Sequence, residues 1–242
     1  NTARLKNLFK LTFQKSHMRI LVTGGTGFVG SNLALELQNQ GHEVIITGHD
    51  AEQKLPGFKG EILHMSFLGL DWDRIKEIDV LFHQAAINDT AFMDRSEMLR
   101  ANVASSLELF KHVSNHGCKR IVYASSTAVY GNVPVPFKEN GSMIPLNPYG
   151  ESKKILDDEA MEFAQQHPEV VVVGLRYCNV YGPGEMHKGK RASMIYQLLQ
   201  KIAADERPII FKDGEQRRDW VYVKDVVRAN ILAANYDGTA VF

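Results

Sequence analysis

Short apolar runs alternate along the chain with longer segments in which apolar residues recur every three or four positions. The short runs are rich in β-branched residues and several are almost continuously apolar, as in strands that are covered on both faces. They predict six strands, at residues 19–23, 43–47, 61–64, 80–84, 120–125 and 170–176. The longer segments predict amphipathic helices, the clearest at residues 96–116, 148–167, 191–204 and 223–235. This alternation indicates a parallel sheet.

A glycine-rich turn follows the first predicted strand and leads directly into a helix. Gly24 permits a tight turn, Gly27 lets the backbone approach a pyrophosphate, and Gly30 lets the helix pack closely against its strand. A helix that begins near Phe28 and Val29 presents free N–H groups and a partial positive charge to an anion. The turn therefore predicts a dinucleotide site, with Gly24, Gly27, Phe28 and Val29 at the cofactor.

Together, the strands, helices and glycine turn predict an α/β fold: a doubly wound parallel sheet of the Rossmann type with a partial C-terminal substrate-binding region. We expect a dinucleotide-binding domain at residues 18–178. Residues 179–242 are expected to form part of a substrate-binding region, with elements that return to the Rossmann domain. Residues 1–17 carry lysine and arginine but no acidic side chain. They are interpreted as a targeting peptide or, the favoured interpretation, as vector-derived or upstream sequence before Met18.

A tyrosine and a lysine lie four residues apart near the start of the helix predicted at 148–167. Tyr149 and Lys153 therefore share one helix face, where the ammonium favours the phenolate and prepares the tyrosine to accept a proton. Ser126 follows the fifth predicted strand, at the sheet edge where doubly wound folds bind ligands, and its hydroxyl can hold a substrate oxygen. Taken singly, these features are typical of a surface pair and a turn, but their combination after a dinucleotide turn favours an active site.

These motifs resemble those of the extended short-chain dehydrogenase/reductases, in the group of nucleotide-sugar epimerases and dehydratases. The match begins at Met18 and includes residues 23–30, 83–86, 102–103, 123–131, 149–153 and 176–183. The resemblance implies that Tyr149 is the general base, that Lys153 lowers its pKa and binds the nicotinamide ribose, and that Ser126 holds the reacting oxygen. It also implies contacts with the cofactor or the substrate phosphates at Ala85, Ala86, Asn102 and Asn179.

Two further segments resemble the matching parts of ADP-glyceromanno-heptose 6-epimerases, at residues 182–193 and 217–226. In those enzymes a lysine serves as a second acid/base across the sugar from the tyrosine, and Lys188 occupies that position here. The resemblance also implies that Ser193 and Arg218 contact the substrate. The alternatives are that Lys188 belongs to a solvated basic loop, or that Lys188 and Arg218 clamp a diphosphate.

The leading interpretation is an epimerase that transiently oxidises a nucleotide-activated sugar and reduces it again, with ADP-glycero-manno-heptose as substrate and lipopolysaccharide precursor synthesis as its context. The first alternative is a UDP-sugar 4-epimerase or another nucleotide-sugar epimerase or reductase. A dehydratase is less favoured, because that branch uses an acidic residue directly after the position of Ser126, where Thr127 stands. A non-catalytic dinucleotide sensor ranks last, because Tyr149 and Lys153 are both present.

The end of the second predicted strand bears on the choice of cofactor. NAD-dependent members of the group usually have an acid there, which binds the adenosine ribose hydroxyls. Gly48 occupies that position here, followed by His49 and Asp50. Gly48 leaves space for a 2′-phosphate and His49 can approach it, although Asp50 can reach back to the ribose. We therefore expect NADP or NAD, favour NADP, and count Gly48 and His49 among the cofactor-binding residues.

Composition narrows the expected partners and location. The 28 basic and 28 acidic side chains give a formal net charge of zero, so no overall field attracts nucleic acid or an anionic membrane. No apolar run approaches the roughly 18 residues of a membrane span. Two isolated cysteines, Cys118 and Cys178, indicate neither a disulfide framework nor a metal site. We expect a cytoplasmic homo-oligomer that has both thiols buried and acts on a nucleotide sugar.

Overall fold

A seven-stranded parallel sheet organises the chain. The computed structural model describes residues 17–48, 55–63, 72–210 and 213–242. Its strands are β1 (Arg19–Thr23), β2 (Glu43–Thr47), β3 (Glu61–Leu63), β4 (Val80–His83), β5 (Arg120–Ser126), β6 (Val171–Tyr177), β7 (Asn179–Tyr181), β8 (Trp220–Tyr222) and β9 (Ala240–Val241). The main sheet has the order β3-β2-β1-β4-β5-β6-β9, and every pairing in it is parallel. A second small sheet pairs β7 with β8.

Helices cover both faces of the main sheet. They are α1 (Phe28–Asn39), α2 (Arg95–Leu99), α3 (Ser105–Asn115), α4 (Pro148–Gln166), α5 (Met194–Ala203) and α6 (Val223–Ala234). A π-helical turn at Arg100–Ala104 joins α2 to α3, and 3-10 turns lie at Trp72–Ile75, Thr127–Val129 and Met186–Arg191. One core layer packs α3 and α4 against the sheet, and the other packs α1 and α6 against the opposite face.

This arrangement confirms the predicted α/β fold with a doubly wound parallel sheet. The six predicted strands are present, with ends that differ by at most one residue; position 64 lies outside the described residues. The sequence pattern does not predict β7, β8 or β9. Each of these strands has only two or three residues, which is too few to show a period.

Two helices differ from the prediction in ways that have local causes. The helix predicted at 96–116 begins at Arg95 and is interrupted by the π-helical turn. The helix predicted from residue 191 begins instead at Met194, because Ala192 is extended, with ψ at 159°. Ser193 then caps α5 by accepting a hydrogen bond from the Tyr196 backbone N–H at 3.1 Å.

The C-terminal elements contribute to both the sheet and the region beyond its edge. Pairing of β7 with β8 places Asn179 opposite Trp220, while α6 and β9 pack with the main sheet. Cys118 is buried as predicted, but the prediction was wrong for Cys178, which is partly exposed. Cys178 lies where the chain leaves β6 for β7, beyond the covered part of the sheet. Within the described residues, no helix is both long and apolar enough to cross a membrane.

Candidate active site

A cleft of about 900 Å³ opens at the carboxyl ends of the central strands. Most of the residues predicted to act line it, namely Gly24, Gly27, Phe28, Val29, Gly48, Ala85, Ala86, Ser126, Tyr149, Lys153, Asn179, Lys188, Ser193 and Arg218. Asn102 is buried and lies outside the cleft lining, and His49 lies outside the described residues. The fold thus brings together residues that are up to about 190 positions apart in sequence.

The glycine turn forms one wall of the cleft. Gly24 has φ of +64°, and a Cβ there would lie 2.8 Å from the Ala85 backbone nitrogen. A Cβ on Gly30 would lie 2.2 Å from the Gly24 carbonyl oxygen, so larger residues are excluded at both positions. The helix that follows starts at the N-cap Gly27, and residues 28–31 of its first turn are uncharged. Such an open, uncharged helix N-terminus fits the pyrophosphate of a dinucleotide.

The loop after β4 lies against the glycine turn and is held from behind by Asn102. The Asn102 Oδ1 accepts a hydrogen bond from the Ile87 N–H at 2.8 Å, and its Nδ2 donates to the Ile87 carbonyl oxygen at 2.9 Å. The same amide donates to the Ser152 hydroxyl on α4 at 3.0 Å. Asn102 therefore supports the loop that carries Ala85 and Ala86 and ties it to the helix of the predicted catalytic pair.

The predicted catalytic pair lies at the start of α4. Asn147 caps this helix by accepting a hydrogen bond from the Gly150 N–H at 2.8 Å, which fixes Tyr149 in the first turn. The Tyr149 hydroxyl forms a hydrogen bond with Ser126 at the end of β5. Lys153, one turn further on, donates from Nζ to the Ala124 carbonyl oxygen at 2.8 Å, and this Nζ lies 6.0 Å from the Tyr149 ring centroid.

Burial is the largest influence on the pKa of each member of this pair. Burial raises the pKa of Tyr149, and the hydrogen bond with Ser126 opposes that rise. Burial lowers the pKa of Lys153 to about 8, against an opposing effect of the Asp157 carboxylate. The expected lowering of the Tyr149 pKa by Lys153 does not dominate here, because desolvation of the phenolate is the larger effect and the lysine proton is directed at Ala124.

Lys188 also lines the cleft, in the 3-10 turn that precedes α5. Its Nζ is 5.4 Å from the centroid of the Phe28 ring, which is within the range of a cation–π contact. Burial lowers the pKa of Lys188, and the nearby Glu185 carboxylate opposes this effect. The side chain is therefore partly withdrawn from water, which differs from the alternative of a solvated basic loop.

A buried carboxylate shapes the segment that carries Lys188. Glu185 is 2% exposed and accepts hydrogen bonds from the Gly182 N–H at 3.1 Å, the Ser193 N–H at 2.7 Å and the Ser193 hydroxyl at 3.0 Å. The Ser193 hydroxyl thus already has a partner within the protein. The spacing of Glu185 and Ser193 carried no periodic signal, so the sequence did not reveal this clamp.

A second group of polar residues was also missed. The Tyr177 hydroxyl donates to Gln84 Oε1 at 3.0 Å and receives a hydrogen bond from Asn230 Nδ2 at 2.7 Å. Tyr177 and Gln84 line the cleft, whereas Asn230 lies on α6 and is fully buried. The only sequence signal was that Gln84 and Tyr177 fall within matched motifs; Asn230 had none. Gln84 Nε2 also donates to Asn230 Oδ1 at 3.1 Å, so these three side chains connect the ends of β4 and β6 to α6.

Comparison with known proteins shows the family to which the chain belongs. Residues 20–240 match the model of the NAD dependent epimerase/dehydratase family. The ADP-L-glycero-D-manno-heptose-6-epimerase of Brachyspira hyodysenteriae is 35% identical over 224 residues, which cover 87% of this chain and 70% of that protein. A putative UDP-glucose 4-epimerase of Methanocaldococcus jannaschii is 34% identical over 226 residues, which cover 90% of this chain and 73% of that protein.

A solved structure of a heptose epimerase is also similar to this chain in fold and sequence. The crystal structure of the Helicobacter pylori ADP-L-glycero-D-manno-heptose-6-epimerase superposes with a TM-score of 0.86 at 36% identity, and the match covers 95% of this chain and 78% of that one. The family match spans nearly the whole chain, and the sequence relatives exceed 30% identity. The resemblance noted in the sequence is thereby confirmed, and this chain is an enzyme of the NAD-dependent epimerase/dehydratase family.

Proposed function

We propose that this enzyme epimerises a nucleotide-activated sugar, that its substrate is ADP-glycero-manno-heptose, and that it inverts carbon 6. The observation that carries the proposal is the position of Lys188, which lines the same cleft as Tyr149 and is partly withdrawn from water. Inversion requires the oxidised sugar to present its other face to the same hydride donor, which moves its oxygen away from Tyr149. A second proton-transferring side chain in the cleft can serve the oxygen in its new position.

The chain's own residues supply binding and proton transfer. A bound nicotinamide cofactor supplies the chemistry of removing a hydride from the sugar and returning it. Tyr149 accepts the proton of the reacting hydroxyl, and Ser126 holds the same oxygen by a hydrogen bond. Lys153 positions the cofactor ribose and keeps a positive charge near Tyr149, and Lys188 exchanges the second proton. The lowered pKa of Lys188 suits such exchange, because it brings the pKa toward neutral pH.

The remaining predicted residues serve recognition in this proposal. Asn179 and Arg218 contact the substrate phosphates, and Ser193 contacts the substrate while holding Glu185. The glycine turn and the loop of Ala85 and Ala86 bind the cofactor. We also propose that the enzyme is a cytoplasmic homo-oligomer, as the resemblance implies; sedimentation of the purified protein tests the assembly.

A UDP-sugar 4-epimerase is the second candidate. It is favoured by the putative UDP-glucose 4-epimerase, whose identity to this chain is nearly the same as that of the heptose epimerase. In that case Lys188 binds the substrate diphosphate rather than exchanging a proton, and Tyr149 alone handles the reacting oxygen.

A proton NMR time course with ADP-D-glycero-D-manno-heptose in one tube and UDP-galactose in another, with no added cofactor, separates the candidates. We expect inversion at carbon 6 in the first tube only, with the cofactor retained and recycled by the protein. Turnover of UDP-galactose alone would establish the second candidate instead. If both tubes are silent, the experiment is repeated after loading with NADP or NAD, and continued silence would contradict the proposed epimerase activity.

Substitution of the proposed base tests the mechanism. Tyr149→Phe should lower kcat by about 10² to 10⁴-fold, because the phenyl ring cannot accept the hydroxyl proton, while cofactor binding stays within about threefold of wild type. Tyr236→Phe, a 40% exposed position outside the cleft lining, is the matched control.

The proposed second acid/base is tested in the same way. Lys188→Ala should lower the rate of epimerisation by a similar factor, and Lys224→Ala, at an exposed position, is its control. Near wild-type rates in Lys188→Ala would exclude the second acid/base role.

A further inference from the structure

The segment between β7 and α5, which carries Lys188, contains three glycines. Gly182, Gly184 and Gly189 all have positive φ, at +133°, +96° and +54°. Gly189 falls inside the 3-10 turn at Met186–Arg191 and departs from helical geometry there. Glycine has more backbone freedom than any other residue. The position of Lys188 therefore depends on the contacts that hold this segment in one conformation.

The Glu185 carboxylate joins the two ends of the segment. Its Oε1 accepts hydrogen bonds from the Gly182 N–H at 3.1 Å and from the Ser193 hydroxyl at 3.0 Å, and its Oε2 accepts from the Ser193 N–H at 2.7 Å. These two partners are eleven positions apart in the sequence. The Glu185 carbonyl oxygen also accepts from the Lys188 N–H at 3.0 Å, so the backbone of the lysine is fastened to the same residue.

A second attachment fixes where the segment lies relative to α1. The Asn32 side chain donates from Nδ2 to the Pro183 carbonyl oxygen at 2.9 Å and to the Phe28 carbonyl oxygen at 3.0 Å. The charged end of Lys188 lies over the Phe28 ring. The segment that Glu185 shapes is thus docked on the first turn of the helix that follows the glycine turn.

The chemistry at position 185 calls for a carboxylate. Glu185 is 2% exposed, and its three side-chain partners all donate. An amide of the same shape has only one oxygen, and its NH₂ group would face an N–H donor. The negative charge of Glu185 also raises the pKa of Lys188 against burial, while Arg191 lowers it. Shape and charge at this position therefore both act on the lysine.

We propose that Glu185 is a positioning residue for the epimerisation, because by joining Gly182 to Ser193 it holds Lys188 where the lysine reaches the substrate. The inference rests on the role of Lys188 in the proposed function. Glu185 does not touch the reacting atoms in this proposal, so its whole effect on the rate passes through Lys188.

A double-mutant cycle tests that dependence. The rates of wild type, Glu185→Gln, Lys188→Ala and the double variant are measured with ADP-D-glycero-D-manno-heptose, on the full chain loaded with NADP or NAD. Glu185→Gln should lower kcat by about 10-fold to 100-fold through misplacement of the lysine, with KM within about threefold of wild type. The double variant should be no more than about twofold slower than Lys188→Ala, whereas independent losses would multiply.

Glu162→Gln, at an exposed position on α4, is the matched control and should keep the wild-type kcat. Thermal unfolding of each variant checks that the protein is folded. If Glu185→Gln does not fold, Glu185→Asp takes its place in the cycle. The aspartate keeps the charge and both acceptor oxygens but is one methylene shorter, so it should lower kcat by about tenfold and show the same dependence on Lys188.

Two results would overturn this inference and leave the proposed function standing. One is a wild-type kcat in the variant at position 185, and the other is a double variant whose loss is the product of the two single losses. Near wild-type rates in Lys188→Ala, or a loaded wild type that does not convert the heptose, would overturn the proposed function and this inference together.

Discussion

At the scale of single residues, Lys153 is the group whose chemistry depends most on its surroundings. It is 2% exposed, donates to the Ala124 carbonyl oxygen at 2.8 Å, and has its pKa lowered by burial to about 8. The unfolded chain restores an ordinary lysine pKa near 10.5. Between these two values the unfolded state holds a proton that the folded state has released, so the folded state gains stability as pH rises.

This difference predicts a measurable pH dependence of stability. Between pH 7 and pH 10, the free energy of unfolding of the cofactor-free wild type should rise relative to that of Lys153→Met by roughly 2 to 3 kcal/mol. Urea denaturation at several pH values measures it. Lys154→Met, at the more exposed neighbouring position on the same helix, should show the wild-type pH dependence. A difference between wild type and Lys153→Met that does not change with pH would contradict the lowered pKa.

Asp157 lies one helical turn beyond Lys153 and joins it to a buried ion pair. Its carboxylate accepts hydrogen bonds from Arg176 Nε at 2.9 Å and from the Tyr123 hydroxyl at 3.0 Å. The Arg176 and Asp157 side chains are 5% and 2% exposed. The same carboxylate raises the pKa of Lys153 against the effect of burial, so Asp157 is a positioning residue for the charge of the lysine.

Asp157→Asn should therefore have two separable effects. The free energy of unfolding should fall by about 3 to 5 kcal/mol, because Arg176 is left as a buried charge without its partner. The pH-dependent rise described for Lys153 should also begin at a lower pH, which loss of packing alone would not cause. Glu206→Gln, in the exposed pair with Lys201, should cost less than about 1 kcal/mol. Denaturation curves of both variants across the pH range make the comparison.

The sequence predicted these residues unevenly. The four-residue spacing of Tyr149 and Lys153 was enough to place both on one helix face, since helical geometry is local. The hydrogen bond of Asn102 with Ser152 depends on how the π-helical turn packs on α4, and no pattern within either segment encodes that distance. The pKa of Tyr149 was also beyond prediction, because burial is a property of the folded site.

At the scale of elements, the π-helical turn at Arg100–Ala104 places the Asn102 side chain where it holds the loop after β4. The extra residue in the turn places Asn102 inside the protein, where its carbonyl oxygen accepts from the Ser106 hydroxyl at 2.8 Å. Ser106 in turn contacts the ring of buried His83 at 2.9 Å. π-helical turns commonly occur at functional sites, and this one aims an amide at the loop after β4.

Asn102→Asp tests this arrangement. The carboxylate cannot donate to the Ile87 carbonyl oxygen or to Ser152, so we expect a loss of about 2 kcal/mol in unfolding free energy and roughly tenfold weaker cofactor binding. Asn140→Asp, at an exposed turn position, provides the matched control and should change neither quantity appreciably. Unchanged cofactor affinity in Asn102→Asp would show that the loop after β4 is held in place by other contacts.

The sequence predicted helices and strands correctly where segments were long and periodic. It did not predict short strands that form only by pairing with a distant part of the chain. Six of the seven strands in the main sheet show apolar runs that are independent of context. The strands β7 and β8 exist because Asn179 and Trp220 meet across a separation of some 40 residues, and the three residues of each strand carry no signal by themselves. The same holds for β9, which extends the sheet beside β6.

At the scale of the whole molecule, the C-terminal helix α6 completes the core layer on the α1 side of the sheet. Ile231 is 1% exposed and belongs to the same buried cluster as Ile20 and Leu37. Residues from both ends of the described chain therefore share one core. Asn230, next to Ile231, also reaches the cleft through Tyr177.

Ile231→Ala should cost about 2 to 5 kcal/mol of unfolding free energy, because it leaves a cavity between α6 and the sheet. The cost should appear as a lower denaturant midpoint with an unchanged slope, as expected when the molecule unfolds in one step. Ile202→Ala, which is 60% exposed on α5, is the control and should lie within about 0.5 kcal/mol of wild type. A cost below 1 kcal/mol for Ile231→Ala would mean that α6 contributes little to the core.

The late position of α6 in the chain has a consequence for biosynthesis. When a ribosome has released residues up to the end of β6, the sheet surface that α6 will cover is still bare, and Tyr177 still lacks its Asn230 partner. Nascent chains at this stage expose apolar surface of the kind that chaperones bind and that promotes aggregation. A pause in translation after β6 has emerged from the ribosome and before α6 has emerged therefore prolongs this exposure, and slow synonymous codons that cause such a pause should lower the soluble yield.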